Sequence, residues 1–465
     1  MPFQDSGGSA GPSNLRAKLN GFPWLTAGVL YTLSWAWSLL RPNTLYWDDW
    51  QYIFDQPSRS LNRTFLETGL PPWRALIDQE MLLLGHFLFP ILSFVFFFIA
   101  GILYYLLLKK IEFLSSIELK FLTLIFLMAS LNHARVAKVM FGYTTSYFLF
   151  FLGWTIYVYS RSWRFRLIGL SFLFLSFMTH SLLFFSSLIL IQILYLQRMA
   201  LLQRKFKSAF SLTIPIVLIS VTYIVLRSNF WMPKNEYVTY QKIYHLGVAR
   251  SLVLYLPFTI CCLITYPLFC VKKRLPKGLT LLFIGTFALA VSLTPYVISN
   301  NINRYVFSYN IGWESRHLLL VPIGLSFIVV GLSQMISKRT QFVAKAALIC
   351  FVLLNMFVGI QYHLQSLQQS ELVEYLKKEQ ISQLISEIHD ETRRFKGRGA
   401  SFTEYEIFGM LKEAGYLYPT RVGYKFSCNK RGRGVILSIR SDKSIFDAFL
   451  NQNTGLIVDL MPCGS

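Results

Sequence analysis

Apolar and polar positions alternate along this chain in long blocks. Nearly uncharged runs cover approximately 22–40, 81–108, 117–132, 140–160, 165–179, 181–197, 210–227, 251–271, 279–298, 317–337 and 341–360. A helix crosses the hydrocarbon core of a bilayer in about 20 residues, so the pattern predicts about eleven transmembrane helices, some of them short or closely joined. The first fifteen residues are small and polar without a cleavable-signal pattern, so Phe22–Leu40 is expected to remain as an anchor. After Gln361 the pattern changes. Leu364, Leu367, Leu372, Leu376 and Ile381 mark the apolar stripe of a charged helix, and Gly397-Arg398-Gly399 interrupts the chain. Gly434–Arg440 and Gly455–Asp459 read as short strands around a helix near Phe446–Leu450. The expected organisation is a tail (1–21), a transmembrane domain (22–360) with a long first outer loop (41–80), and a small α+β domain (361–465).

Composition agrees with this class: 54% of the residues are hydrophobic and 41 are Phe, too many for an ordinary soluble domain. The formal charge of +22 would suit a nucleic-acid binder only if the basic residues formed one patch, and they do not. They fall between the apolar runs: Lys109, Lys110 and Lys120; Arg161, Arg164 and Arg166; Arg198, Arg204, Lys205 and Lys207; Lys272, Lys273, Arg274 and Lys277; Lys338, Arg339 and Lys345. With Arg16 and Lys18 these define alternate loops as cytoplasmic by the positive-inside rule. The remaining loops, with all seven histidines on or near them, and everything after Gln361 fall outside. No histidine pair has metal-ligand spacing. Cys261, Cys262, Cys270 and Cys350 read as small core residues, whereas Cys428 and Cys463 lie where a disulfide is chemically possible.

The outer loops hold the chemistry. Just after the first apolar run stands Tyr46-Trp47-Asp48-Asp49-Trp50. Lipid tolerates no unpaired acid, so Asp48 and Asp49 are expected at the membrane surface, flanked by interfacial aromatics. Adjacent carboxylates repel, which favours a raised pKa in one of them and suits it to proton transfer. The plainer reading is a solvated loop anchored by tryptophans. Asp49–Phe54 and Asn62–Leu70 read as two short surface helices, with Pro71-Pro72-Trp73 returning the chain to the membrane. Two further outer loops carry charge: His133 and Arg135 in one, Arg304 with Glu314, Arg316 and His317 in the other. Such residues commonly snorkel to anchor a helix, but an arginine at headgroup depth is also a strong ligand for a lipid phosphate.

An acidic pair in the first outer loop after the first membrane helix resembles the GT-C superfamily of integral-membrane glycosyltransferases, of the kind that use polyprenyl-phosphate sugars. The resemblance extends to the surface helices, the number of spans, the C-terminal domain and the arginine-containing stretch at Glu314–His317. It implies inverting transfer of a sugar from a lipid-linked donor to a glycan, lipid or protein acceptor outside the cell, in a multi-pass protein of the bacterial plasma membrane with no nucleic-acid partner. Asp48 would act as general base with Asp49 in support. Arg316, His317, Arg304, His133 and Arg135 would hold the donor phosphate, and Tyr46, Trp47, Trp50 and Glu314 would line the substrate. Asp49 or Asp48 is also the place for a divalent cation, Mg or Mn, if there is one. The competing readings are a lipid-linked glycan flippase or transporter, a surface-polysaccharide polymerase or ligase, and a non-catalytic scaffold. The charge pattern predicts a cytoplasmic N-terminus and an extracytoplasmic C-terminal region. A cysteine placed at Ser401 should react with an impermeant thiol reagent added outside intact cells, and labelling from the cytoplasmic side alone overturns the topology.

Overall fold

A computed structural model describes residues 21–47, 49–54, 67–129, 131–197, 206–231, 276–298, 313–336, 341–379, 385–390, 404–415, 435–441 and 456–462. The expected span at 251–271, the expected helix near 446–450, and Asp48, His245, Arg304, Cys428 and Cys463 lie outside these residues.

The described chain is a helical bundle. Its helices are α1 (Trp24–Trp35), α2 (Asp49–Phe54), α3 (Pro72–Leu84), α4 (Leu88–Lys109), α5 (Ser116–Met128), α6 (Phe141–Tyr159), α7 (Trp163–Ser176), α8 (Ser181–Leu196), α9 (Phe206–Phe230), α10 (Lys277–Ile298), α11 (Val321–Ile336), α12 (Gln341–Glu379) and α13 (Glu404–Glu413). Among the described residues, five helical stretches are long and apolar enough to cross a membrane: Leu88–Lys109, Lys138–Tyr159, Ser211–Phe230, Lys277–Tyr296 and Gln341–Lys378. Ser181–Leu196 and Val321–Ile336 are apolar but shorter. The outward faces are correspondingly greasy. Along α1, Leu25, Val29 and Leu33 are exposed while Ala27, Tyr31 and Ser34 are buried, and α12 exposes Phe342, Ile349 and Leu353. Such surfaces are stable against lipid and not against water. The protein is therefore an α-helical membrane protein.

The many aromatics form the centre of the bundle. Phe97 stacks on Phe126 and on Tyr147, both at 5.7 Å between ring centroids, and Tyr104 lies 4.5 Å from Phe126. These pairs knit α4, α5 and α6 together at about 0.5–1.5 kcal/mol each beyond area burial. Helices α10 and α11 approach until their backbones touch. A Cβ on Gly285 would lie 2.8 Å from the Gly324 carbonyl, and one on Gly331 would lie 2.9 Å from that of Gly278. In lipid, where apolar burial offers no advantage, close packing of small residues is a main source of helix association.

The pattern misplaced two boundaries. Pro71-Pro72-Trp73, expected to lead back into the membrane, instead starts α3, because proline at a first helical position loses no hydrogen bond and presets φ. The expected span 81–108 is accordingly broken at Gly85, and α4 begins at Leu88. Later in the chain, α12 runs unbroken through the boundary expected at 360/361. Beyond it, β1 (Ile385–Asp390) pairs parallel with β2 (Val435–Ser441), and β2 pairs antiparallel with β3 (Leu456–Pro462), with Leu437 opposite Leu460.

The two ends of the bundle differ in chemistry. At one end Glu118 completes a capping box with Ser115 at the start of α5. It also accepts Lys277 Nζ at 2.6 Å and the side-chain amide of Gln334, tying α5, α10 and α11. Lys110 lies 4.4 Å over the Tyr159 ring at that same end. At the opposite end, the C-termini of α1 and α5 meet the N-termini of α6 and α11. There the acidic loop is found.

Candidate active site

The loop after α1 is gripped almost residue by residue. The α1 end tightens into a 3-10 turn at Ala36–Leu39, where Trp37 Nε1 and Ser38 Oγ donate back to the Ser34 and Trp35 carbonyls at 2.7 Å. From there the chain runs along α12. Thr44 Oγ1 meets Ser366 Oγ at 2.5 Å, and Gln369 Nε2 donates to the Leu45 carbonyl at 2.9 Å. The Tyr46 hydroxyl donates to the Tyr362 carbonyl at 3.2 Å. Tyr46, Trp47 and Trp50, expected to face the interface or substrate, have buried side chains. Tyr46 and Trp47 pack edge-on against Tyr362, and Trp50 Nε1 donates to the Leu45 carbonyl at 3.1 Å. Trp47 takes φ of 50°, the one left-handed non-glycine residue among those described.

Asp49, at the head of α2, is fully buried and is the joint between this loop and the next. Its Oδ2 accepts the backbone N–H of Tyr46 at 3.1 Å and of Lys138 at 2.9 Å, and its Oδ1 accepts that of Val139 at 2.8 Å. Lys138 and Val139 lie in the 3-10 turn Lys138–Met140 that leads into α6, and Lys138 Nζ donates to the Asn43 carbonyl at 3.1 Å. Burial pushes the Asp49 carboxyl up to about 6, and the Lys138 charge and the three backbone donors hold it from rising further. The group is thus ionised at neutral pH, but its lone pairs point at peptide hydrogens. That is the environment of an anchor and not of a base that meets a substrate hydroxyl. Nor does it fit a divalent cation: both oxygens are occupied by N–H donors and a lysine stands beside them. Among the described residues no three His, Cys, Asp or Glu side chains gather as a metal site.

A second acid, absent from the sequence reading, adjoins this joint. The Val139 carbonyl accepts Arg74 Nη2 at 3.0 Å, and Arg74 forms a buried ion pair with Asp78 one turn along α3. Asp78 is fully buried, and its Oδ1 has no hydrogen-bond partner among the described residues. The Arg-x-x-x-Asp spacing was its only signal in the sequence.

The basic candidates arrive from the turn His133–Val136 and the turn Trp313–Leu318. These two turns are bonded to each other: Ser315 Oγ accepts the Ala134 N–H at 2.8 Å. Arg316 is half-buried on that second turn. The side chains of Glu314 and His317 lie outside the described residues, although their backbone belongs to the turn. His133 is fully buried, with Nε2 3.3 Å from Asn355 Oδ1 on α12. Burial, and then the Arg135 charge, push its pKa down to about 3, so it is a neutral imidazole and adds no charge to an anion site. The Arg135 guanidinium carbon sits 3.1 Å from the centroid of Trp35, 4.2 Å from Phe97 and 5.8 Å from Tyr31. Burial lowers its pKa to about 10, so it stays charged, balanced by ring faces. Its Nη2 has no hydrogen-bond partner among the described residues, nor do the side-chain atoms of buried Asn132.

The structure therefore brings together the first loop, the 133–140 segment and the 313–318 turn, three segments singled out separately in the sequence. It adds Asp78, Asn355 and Glu406, whose carboxylate receives the Trp47 N–H at 3.1 Å. Glu406 comes from α13, an element whose signal was legible in Ile407, Met410 and Leu411 at helical spacing before Gly415. No known protein family, curated protein or solved structure matches this chain.

Asp49→Asn turns one accepting oxygen into an NH2 that faces a backbone N–H, an arrangement worth about 1–3 kcal/mol of lost stability. Because the native pKa lies above the unfolded value, Asp49 contributes most to stability at low pH and loses that contribution as pH rises through about 6. The wild type's margin in thermal unfolding over Asp49→Asn should therefore be larger near about pH 4 than near about pH 7. Equal margins at the two pH values contradict the burial of an ionisable anchor.

Proposed function

We propose that this chain is a GT-C-type membrane glycosyltransferase, with about eleven spans and a small extracytoplasmic α+β domain, that transfers a sugar from a polyprenyl-phosphate donor with inversion. The observation that carries the reading is the assembly of the acidic loop and two arginine-bearing turns at one end of an apolar bundle, opposite the end with Lys110 and Lys277. The donor's lipid tail has lipid-facing helices to lie against, and its phosphate has Arg316 within reach of the same cluster of turns.

In this reading Asp48 takes the proton of the acceptor hydroxyl as its oxygen attacks the anomeric carbon. The bond from that carbon to the phosphate oxygen breaks, and the lipid phosphate leaves with the electron pair, its charge balanced by Arg316 with Arg135 behind it. Asp49 takes no proton from the acceptor. It holds the loop, so the two adjacent acids divide into base and anchor. His133, being neutral, orients Asn355 and the turn. The buried Asp78, whose Oδ1 has no hydrogen-bond partner among the described residues, is the feature a transporter reading would use, since buried acids in membrane proteins often mark proton paths.

Two outcomes are expected with purified protein and defined polyprenyl-phosphate sugars. Asp48→Asn should lower turnover by about a hundred- to ten-thousand-fold with thermal unfolding unchanged; near wild-type transfer by that variant removes Asp48 as the base, and no transfer by the wild type removes the enzyme reading and advances the transporter. Arg316→Ala should weaken donor binding, read as a raised donor KM, by about tenfold or more. Unchanged donor affinity reduces Arg316 to a membrane anchor.

A further inference from the structure

The α13 helix makes an unusual pair of contacts for a segment so far along the chain. The Glu406 carboxylate is fully buried, and its Oε1 accepts both the Trp47 backbone N–H at 3.1 Å and Gln365 Nε2 of α12 at 2.9 Å. One turn on, Gly409 lies so close to the Trp50 ring that an added Cβ would fall 2.4 Å from it. Met410 and Leu411 are buried alongside. The exposed Lys377–Glu413 contact at 4.0 Å adds little, so the docking rests on Glu406, on Gly409 and on this apolar face.

These contacts fall on either side of the acid pair. Trp47, which Glu406 holds, is the residue with φ of 50°, a conformation that costs a side-chain-bearing residue roughly tenfold in population. Such a geometry persists only where surrounding contacts over-determine it. Three sets of contacts do so here. Gln369 and Tyr362 on α12 hold Leu45 and Tyr46. Asp49 holds the loop to the turn at Lys138 and Val139. Glu406 holds the peptide that joins Tyr46 to Trp47. Of the three, only the last comes from beyond the membrane helices.

We infer that Glu406 is a positioning residue and that α13 is a clamp on the acid loop, so that the C-terminal region is part of the catalytic geometry and not a separate acceptor-capturing module. The inference rests on the glycosyltransferase reading for its effect on rate, but not for the clamp itself. A carboxylate at this place suits the task because it accepts two N–H donors at once and has no donor of its own to oppose them. Glycine at 409 suits it because a Cβ there would collide with the Trp50 indole.

The test uses the full-length protein in nanodiscs, with hydrogen–deuterium exchange of peptides covering residues 44–50 and transfer kinetics measured in parallel. Glu406→Ala should speed exchange at the Trp47 amide by about tenfold or more and lower kcat while both KM values hold. Glu406→Gln, whose amide oxygen still accepts both donors, should restore protection and rate, which a loss of bulk folding would not allow. Gly409→Ala favours the helix intrinsically yet should loosen 47–50, separating docking from helix stability. Unchanged exchange in Glu406→Ala overturns the clamp. Faster exchange with unchanged kcat overturns the positioning role while the transferase stands. Faster exchange with no transfer by the wild type overturns the transferase reading and leaves the clamp in place.

Discussion

The geometry at the polar end of the bundle depends on one buried carboxylate. Asp49 draws three backbone N–H groups, two of them from the segment that starts α6, and thereby fixes a surface loop to the membrane helices. Removing a charge from water is costly unless every lone pair is satisfied, and peptide donors satisfy it without adding flexible side chains. The Lys138 charge lies close enough to favour the ionised form, though its own ammonium is spent on the Asn43 carbonyl. The result is a loop whose conformation is set by electrostatics in a poorly solvated place, where such interactions are strongest.

The same logic extends outward through the backbone of Val139. Its N–H serves Asp49 and its carbonyl serves Arg74, which is itself neutralised by Asp78, so two buried acids are joined through the backbone of one residue. Nearby, Arg135 finds no carboxylate among the described residues and is balanced by the faces of Trp35 and Phe97. A guanidinium is suited to this because it is planar and weakly hydrated. Charges here are thus accommodated by three different devices within a few turns, and that density of buried polarity is what distinguishes this end from the remainder of an aromatic bundle.

The scaffold behind the loop is the 39-residue α12. Its first part is lipid-facing, with Ile349 and Leu353 exposed. Farther along, Asn355, Tyr362, Gln365, Ser366 and Gln369 turn polar groups toward His133, the acid loop and Glu406. A single rigid rod that is greasy at one end and hydrogen-bonding at the other keeps the membrane helices and the C-terminal elements in fixed register, as two helices joined by a hinge would not.

What the sequence determined by itself follows from local regularities. Runs without charge give membrane helices because lipid admits little else, and clusters of Lys and Arg mark alternate loops. The acid pair and the arginine stretches were visible because charge beside an apolar run needs a reason. Strand signals at 434–440 and 455–459 were legible from β-branched runs, and strands are found at Val435–Ser441 and Leu456–Pro462. Tertiary structure decided the rest. That Asp49 is an anchor depends on N–H groups about ninety residues away. That His133 is neutral depends on its burial in the bundle, and the partner of the Trp47 N–H is Glu406, 359 residues on. Periodicity reports which face of a helix is apolar. It carries no information on which distant peptide will meet a carboxylate, because that is settled only when the helices pack.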